Sequence, residues 1–288
     1  MPLLSIIMAT KNENFIYIKK CIDSIINQTF KDYIFYIIID TKKDNNVEYL
    51  SSICDKNSKI KLMINNGNPG VSSSRNFGIM NSDSKYIGIV DSDDYYDKQK
   101  FEKQINYLEN HGEISVIGTN IFLVDNSGKI IGERLYPKNN RNIRKQFLFK
   151  MPIANTSVLF RRNDLDTTGI FDENFKKAED LELWLRFLSK NKKMYNLQQK
   201  LVYYRVPADE NEKRGNEHYK NYFIALKKHS KNIWPINLRF IPLFTFYLIQ
   251  LIPDYYLSLL LKTKFVHKIK NIKSVNDKKL FEKRRFMF

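Results

Sequence analysis

Three carboxylates in four positions, Asp91, Asp93 and Asp94, end an apolar run in the segment YIGIVDSDDYY at 86–96. On an extended chain, side chains two apart share a face, so Asp91 and Asp93 can converge while Asp94 points across the strand end. Carboxylate oxygens gathered this way suit a hard divalent cation, and Mg2+ or Mn2+ commonly arrives with substrate phosphates. The plainer reading is a polar turn closing a strand, because Asp and Ser are common turn formers.

The elements that would carry such a cluster are readable upstream. Residues 3–9, LLSIIMA, form a run of strand length, followed by the polar break ATKNEN. Ile18, Cys21, Ile22, Ile25 and Ile26 then recur at helical spacing. A second buried-type strand at 34–39 ends at Asp40, and a weaker helix around 47–54 leads to a third run at 60–64. Residues 65–76, NNGNPGVSSSRN, are loop chemistry and then a helix start, with Ser72 or Ser73 able to cap it. Strands alternating with helices through residue 90 predict a parallel, doubly wound sheet, whose ligands bind beyond the carboxyl ends of the strands. The polar residues at those ends, Thr10, Asn12, Asp40, Asn65, Asn66 and the acidic cluster, should therefore line one crevice. No Walker loop or GxGxxG occurs, so neither a P-loop nucleotidase nor a dinucleotide-binding enzyme is supported.

Further on, a helix is expected near 98–110, apolar runs at 114–117 and 121–124 flank a hairpin-type DNSG, and 136–150 reads as basic and irregular. Residues 156–160 suggest another strand, and Leu181, Trp184, Leu185 and Leu188 mark a helix with Glu179 and Asp180 in its first turn. Acids there complement the helix dipole without needing any other role.

At 288 residues the chain can bury a full core, and its net charge of +17 points to an anionic partner such as phosphates, nucleic acid or an acidic membrane. Ten Lys or Arg against Asp277 and Glu282 make residues 262–288 alone +8. Only Cys21 and Cys54 are present, which argues against a disulfide framework. Met1 leads directly into an apolar strand with no signal-peptide pattern, and a cytoplasmic location is expected. The stretch 240–261 carries a single charge, Asp254, and is long enough to span a bilayer. Pro242, Gln250, Pro253 and Asp254 suit a spanning helix poorly, so two shorter interfacial helices on anionic lipid fit better. An ordinary hydrophobic subdomain is the other reading.

Taken together, residues 3–205 resemble the inverting family-2 glycosyltransferases of bacterial surface-glycan type. The carriers are SIIMATKN at 5–12, CIDSIINQTF at 21–30, NPGVSSSRNFGI at 68–79, YIGIVDSDD at 86–94 and GIFDENFKKAEDLELWLRF at 169–187, in family order. The resemblance implies a GT-A fold, a Rossmann-like doubly wound mixed α/β sheet, here with a helical, membrane-associating C-terminal extension. It implies a catalytic domain over 1–220, with a nucleotide-sugar half at about 1–97 and an acceptor half at about 98–220, and the extension over 221–288. By the same resemblance, Ala9, Thr10 and Asn12 would meet the nucleotide and Asp40 would accept a hydrogen bond from its base. Arg75 would face the diphosphate, a role its planar donor fork also suits. Asp91 and Ser92 would hold the ribose side of the donor, and Asp93 and Asp94 the Mn2+ or Mg2+ that bridges the phosphates. Asp180 would be the catalytic base, ionised at neutral pH beside the metal.

Where family members often carry an aromatic residue in the first loop, this chain has Lys11, and Val206 follows Arg205 where a His is common. His218 could replace that His, although a lone His on a surface helix is more often solvated. The implied activity is metal-dependent, inverting transfer of a sugar from a nucleoside diphosphate donor, UDP-linked, to a glycan or lipid-linked glycan at the inner face of the membrane. A non-catalytic protein binding nucleic acid or anionic membrane is the alternative. It leaves DSDD unexplained, and no nucleic-acid motif occurs.

Overall fold

The computed structural model describes residues 1–40, 43–206, 216–252, 256 and 272–274. The first strand, β1 (Leu4–Thr10), is buried almost throughout, as a strand covered by helices on both faces must be. Asn14 starts α1 (Phe15–Ile26) by accepting the Ile16 N–H at 2.9 Å, and Ile18, Cys21, Ile22 and Ile25 form its buried stripe. β2 (Tyr33–Ile39), α2 (Val47–Lys56), β3 (Ile60–Ile64), α3 (Val71–Met80) and β4 (Tyr86–Asp91) complete an alternating half. Its strands run parallel in the order 3-2-1-4.

The second half is mixed. β5 (Tyr95–Tyr96) and α4 (Lys100–Asn110) precede the long β6 (Ile114–Val124) and β7 (Ile130–Arg134). Then follow α5 (Asn140–Phe147), β8 (Leu159–Arg161), α6 (Leu165–Thr168), α7 (Glu179–Ser189) and β9 (Lys193–Arg205). β8 joins β4 to β6 antiparallel, while β9 runs parallel to β6. α8 (Asn216–His229) and α9 (Ile236–Ile249) close the helical end, and β10 (Ile272–Ser274) pairs with the edge of β7.

Alternation along the strands divides the core between the two faces. Ile6 and Met8 pack with Ile18, Ile22 and Phe101 on one side, and Ile7 and Ile38 with Trp184, Phe187 and Tyr222 on the other. Each such side chain contributes about 1.5–3 kcal/mol by burial.

Several expectations need amendment. The runs at 114–117 and 121–124 are one strand, because the intervening Gly118, Thr119 and Asn120 are buried and continue it through register shifts against β9. Residues 136–150 contain α5, anchored by buried Ile143 and Phe147, whose apolar spacing was masked by Arg and Lys on the outer side. The expected strand at 156–160 begins only at Leu159, after a 3-10 turn at Asn155–Ser157.

The boundary expected at 220/221 falls inside α8, whose Tyr222, Ala225 and Leu226 share a core with α7. Among the described residues no helix is long and apolar enough to cross a membrane. The expected second interfacial helix and nearly all of the basic tail lie outside the described residues.

Candidate functional site

Strand order reverses between β1 and β4, which leaves a crevice at their carboxyl ends. There Ala9 is the register partner of Asp91. A cleft of ≈ 510 Å³ opens beside them, and Ala9, Thr10, Asp40 and Ser92 line it together with Lys11, Gly70 and Ser74. Both oxygens of Asp40 accept hydrogen bonds from the start of α3: Oδ2 from the Gly70 N–H at 3.0 Å and Oδ1 from the Ser74 hydroxyl. Gly70 has φ of 142°, a conformation that L side chains rarely adopt, and its N–H reaches Asp40 from it. α3 thus opens its amino-terminal end onto the cleft, where the helix dipole favours an anion.

Asn12 does not line that cleft. With φ of 50°, it donates its N–H to Asp44 Oδ2 at 2.6 Å and accepts the Asn45 N–H at 3.1 Å, so it braces the loop after β2. Arg75 is also placed otherwise than expected. It is only 5% exposed and bridges Asp91 Oδ1 and Glu179 Oε1, each at 2.9 Å, joining the end of β4 to the first turn of α7.

The three clustered carboxylates separate in space. Asp94 is fully buried, and its Oδ1 accepts the Arg205 N–H at 2.8 Å. Burial, followed by the charges of Asp93 and Asp91, pushes its carboxyl well above the usual range. That inward placement does not suit a metal ligand. Arg205 also donates from Nε to the Asp93 carbonyl at 3.0 Å and from Nη1 to the carbonyls of Asp125 and Asn126, pinning the acidic turn.

Asp91 and Asp93 remain partly exposed at the crevice. Among the described residues, no three His, Cys, Asp or Glu side chains gather into a self-sufficient metal cage. Asp91 lines the cavity that adjoins the cleft and Asp93 stands two residues on, both partly exposed; such a pair fits Mg2+ or Mn2+, which takes one or two protein oxygens and completes its shell with water and substrate phosphate.

A second cavity, of ≈ 320 Å³, lies beyond Asp91 and is lined by both Asp91 and Asp180. Ala178 starts α7 in the left-handed region, φ 61°, a strained entry for a residue with a side chain, and it sets the direction of the two acids that follow. Burial, reinforced by the Glu179 charge and opposed by the Leu181 N–H and Arg75, raises the Asp180 carboxyl to about 7. A value near neutrality suits a carboxylate that has to take up and release a proton.

Sequence reasoning missed several members of the site. Glu179 stood beside Asp180 with no signal beyond helix-dipole chemistry, yet it is the second anchor of Arg75. Tyr96 and Thr156 hydrogen-bond each other at 2.7 Å and both reach the Asp91 N–H, holding the end of β4. The wall of the second cavity opposite the sheet comes from α8 and α9: His218, Tyr219, Tyr222 and Phe246. His218 is therefore a cavity residue and not a purely solvated one. The i, i+1 and i+4 spacing of His218, Tyr219 and Tyr222 was the available signal.

The family model Glycosyl transferase family 2 matches residues 5–169. An uncharacterized glycosyltransferase of Methanocaldococcus jannaschii is 29% identical over 91% of this chain and 94% of its own length. Staphylococcus aureus TarS, residues 1–349, in complex with UDP-GlcNAc is similar in fold, with a TM-score of 0.66 at 17% identity over 93% of this chain and 78% of that one. The mannosyltransferase PcManGT of Pyrobaculum calidifontis, in complex with GDP-Man and Mn2+, gives 0.63 at 11% identity over 89% and 72%.

Proposed function

The chain belongs to glycosyl transferase family 2, and on that premise we propose metal-dependent, inverting transfer of a sugar from a UDP-linked donor to a glycan or lipid-linked glycan hydroxyl. The observation that carries this reading is that consecutive residues face the two cavities. Ser92 lines the cleft with Thr10 and Asp40, and Asp91 lines the cavity with Asp180. A donor seated in the cleft would present its sugar at that junction, and an acceptor in the second cavity would meet it beside Asp180.

Asp91 and Asp93 are the residues that would hold Mn2+ or Mg2+. A divalent cation there would stabilise the charge that develops on the departing diphosphate. As the acceptor oxygen bonds to the anomeric carbon and the carbon–phosphate-oxygen bond breaks, Asp180 takes the hydroxyl proton and the electron pair leaves with the diphosphate. A base with a pKa near neutrality is well matched to that transfer. Attack from the side opposite the leaving group inverts the anomeric centre. Arg75 acts from behind, fixing Asp91 and Glu179 and so the spacing between β4 and α7.

An exposed apolar side of α9 supports an acceptor carried at a membrane surface. Phe240, Ile241, Phe244, Leu248 and Leu251 form an exposed stripe on or just after this helix, while Pro242 and Phe246 face inward. An apolar face of this kind, followed in sequence by a strongly basic tail, suits the interface of an anionic bilayer.

Thermal unfolding with UDP and Mn2+ tests the assignment. Both together should stabilise the protein, by about 2.7 kcal/mol at a hundredfold excess over Kd, and neither alone should do so fully. Asp93→Ala should remove the metal-dependent part. Equal stabilisation by UDP with and without metal would overturn the metal assignment.

A further inference from the structure

α7 carries a further buried acid that sugar-transfer chemistry leaves unused. Glu182, two residues past Asp180, is fully buried and meets the last turn of α8. Its Oε1 accepts hydrogen bonds from His229 Nε2 at 2.8 Å and from Lys228 Nζ at 3.2 Å, and its Oε2 accepts one from Arg186 at 2.6 Å. Burial alone would raise this carboxyl, but the hydrogen bonds from His229 and Arg186 outweigh it and lower the pKa to about 2. Arg186 also donates to the carbonyls of Thr168 and Ile170, and Lys228 donates to Asp172. One carboxylate thus ties α7 to the end of α8 and to the segment leading into α7.

α7 and α8 also pack Leu181, Trp184 and Leu185 against Tyr222, Ala225 and Leu226 in one core. Apolar burial is non-directional and tolerates more than one register, whereas a buried carboxylate is stable only where its donors meet it. The cavity wall stands on the same helix, with Tyr222 and Tyr219 about two and three turns before His229. Tyr222 senses the base across that cavity, since burial, followed by the Asp180 charge, raises its phenol.

We propose that Glu182 and His229 are positioning residues, whose contact sets the register of α8 on α7 and so the place of the aromatic wall opposite Asp180. Neither side chain lines the cavity itself. The proposal rests on the glycosyltransferase reading and adds what holds its acceptor side in shape. A role in stability alone would be met by any pair that packs well, but a role in register needs the directional hydrogen bond.

The test uses the full chain labelled with 3-fluorotyrosine and read by fluorine NMR well below its unfolding temperature, with the Tyr222 signal assigned by its loss in Tyr222→Phe. His229→Leu leaves Glu182 its bonds from Arg186 and Lys228, so the fold should survive, as urea unfolding would show. In that folded variant the Tyr222 signal should split or shift by more than its own linewidth. His229→Gln, which returns an N–H donor near the Nε2 position, should restore the wild-type signal. Asp180→Asn should also move the signal, because the two side chains face one cavity.

A Tyr222 signal unmoved in folded His229→Leu, one displaced as far by Gln as by Leu, or one indifferent to Asp180→Asn overturns the proposal. If the Leu variant does not fold, Lys228→Met weakens the same contact from a side chain 47% exposed, and an unmoved Tyr222 signal there overturns it too. The UDP–Mn2+ thermal shift should be equal in the wild type and in the His229 and Lys228 variants, since the cleft beside Asp40 takes no residue from α7 or α8. Its absence from the wild type would instead strike the glycosyltransferase reading.

Discussion

The cleft beside Asp40 and the cavity beside Asp180 adjoin at Ser92 and Asp91, but they are constructed differently. The cleft is lined by residues 9–11, 40, 69–71, 74 and 92, all from the alternating half of the chain and mostly at strand ends or the start of α3. Its polar groups are held by contacts between elements of that same half, such as Gly70 and Ser74 on Asp40. The cavity draws on residues from Asp91 to Phe246, spread over strands, loops and three helices, and part of its wall is aromatic, with Tyr219, Tyr222 and Phe246. Strand ends can form the cleft directly, whereas the cavity is assembled from elements that only packing brings together.

The largest effect that would sharpen this contrast is expected at the base. Asp180→Asn should lower transfer by about 10²–10⁴-fold while leaving the UDP–Mn2+ thermal shift intact, because the variant touches only the acceptor side. Undiminished transfer would remove Asp180 from the chemistry. The pH profile follows from the same residue. The base must be ionised to act, and its pKa is raised to about 7. In the wild type the rate should fall as pH drops below that value, so a profile flat from pH 5 to 8 would contradict the assignment.

Arg75 comes next, as the tie between the two regions. Removing one member of a buried ion pair leaves unpaired charge behind, so Arg75→Met should cost about 3–5 kcal/mol in urea unfolding. A variant that is fully stable but cannot bind UDP would restore the sequence expectation that Arg75 serves the diphosphate.

The smallest effect on the fold is expected on the outer side of α9. Phe244→Ser with Leu248→Ser should change stability by no more than about 0.5 kcal/mol per site, since both side chains are exposed. The same pair should weaken sedimentation with phosphatidylglycerol vesicles. Unchanged vesicle binding would leave α9 as a cavity wall only.

Residues that act through their own strand end were legible before any coordinates. Thr10, Asp40 and Ser92 were expected around one crevice, and Ala9 by resemblance at the nucleotide; all four line one cleft, and Asn65 and Asn66, expected there too, do not. Asn12 was expected with them and instead braces the neighbouring loop, since its positive φ turns its backbone N–H and side chain toward Asp44 and Asn45. Asp94 was expected at a metal, but β9 supplies an N–H that draws it inward, and nothing in DSDD announces a partner 111 residues away.

By itself, the sequence determined the alternating half of the fold and the chemistry at its strand ends, because hydrophobic period, turn residues and strand polarity are all written within a few neighbouring positions. Only the tertiary structure decided that Arg75 would reach Glu179, 104 residues on, while holding Asp91, that Asp180 would be desolvated enough to titrate near neutrality, and that α8 and α9 would wall the cavity beside it. Those outcomes depend on which distant side chains share a desolvated space. That is a property of packing, which local pattern does not carry.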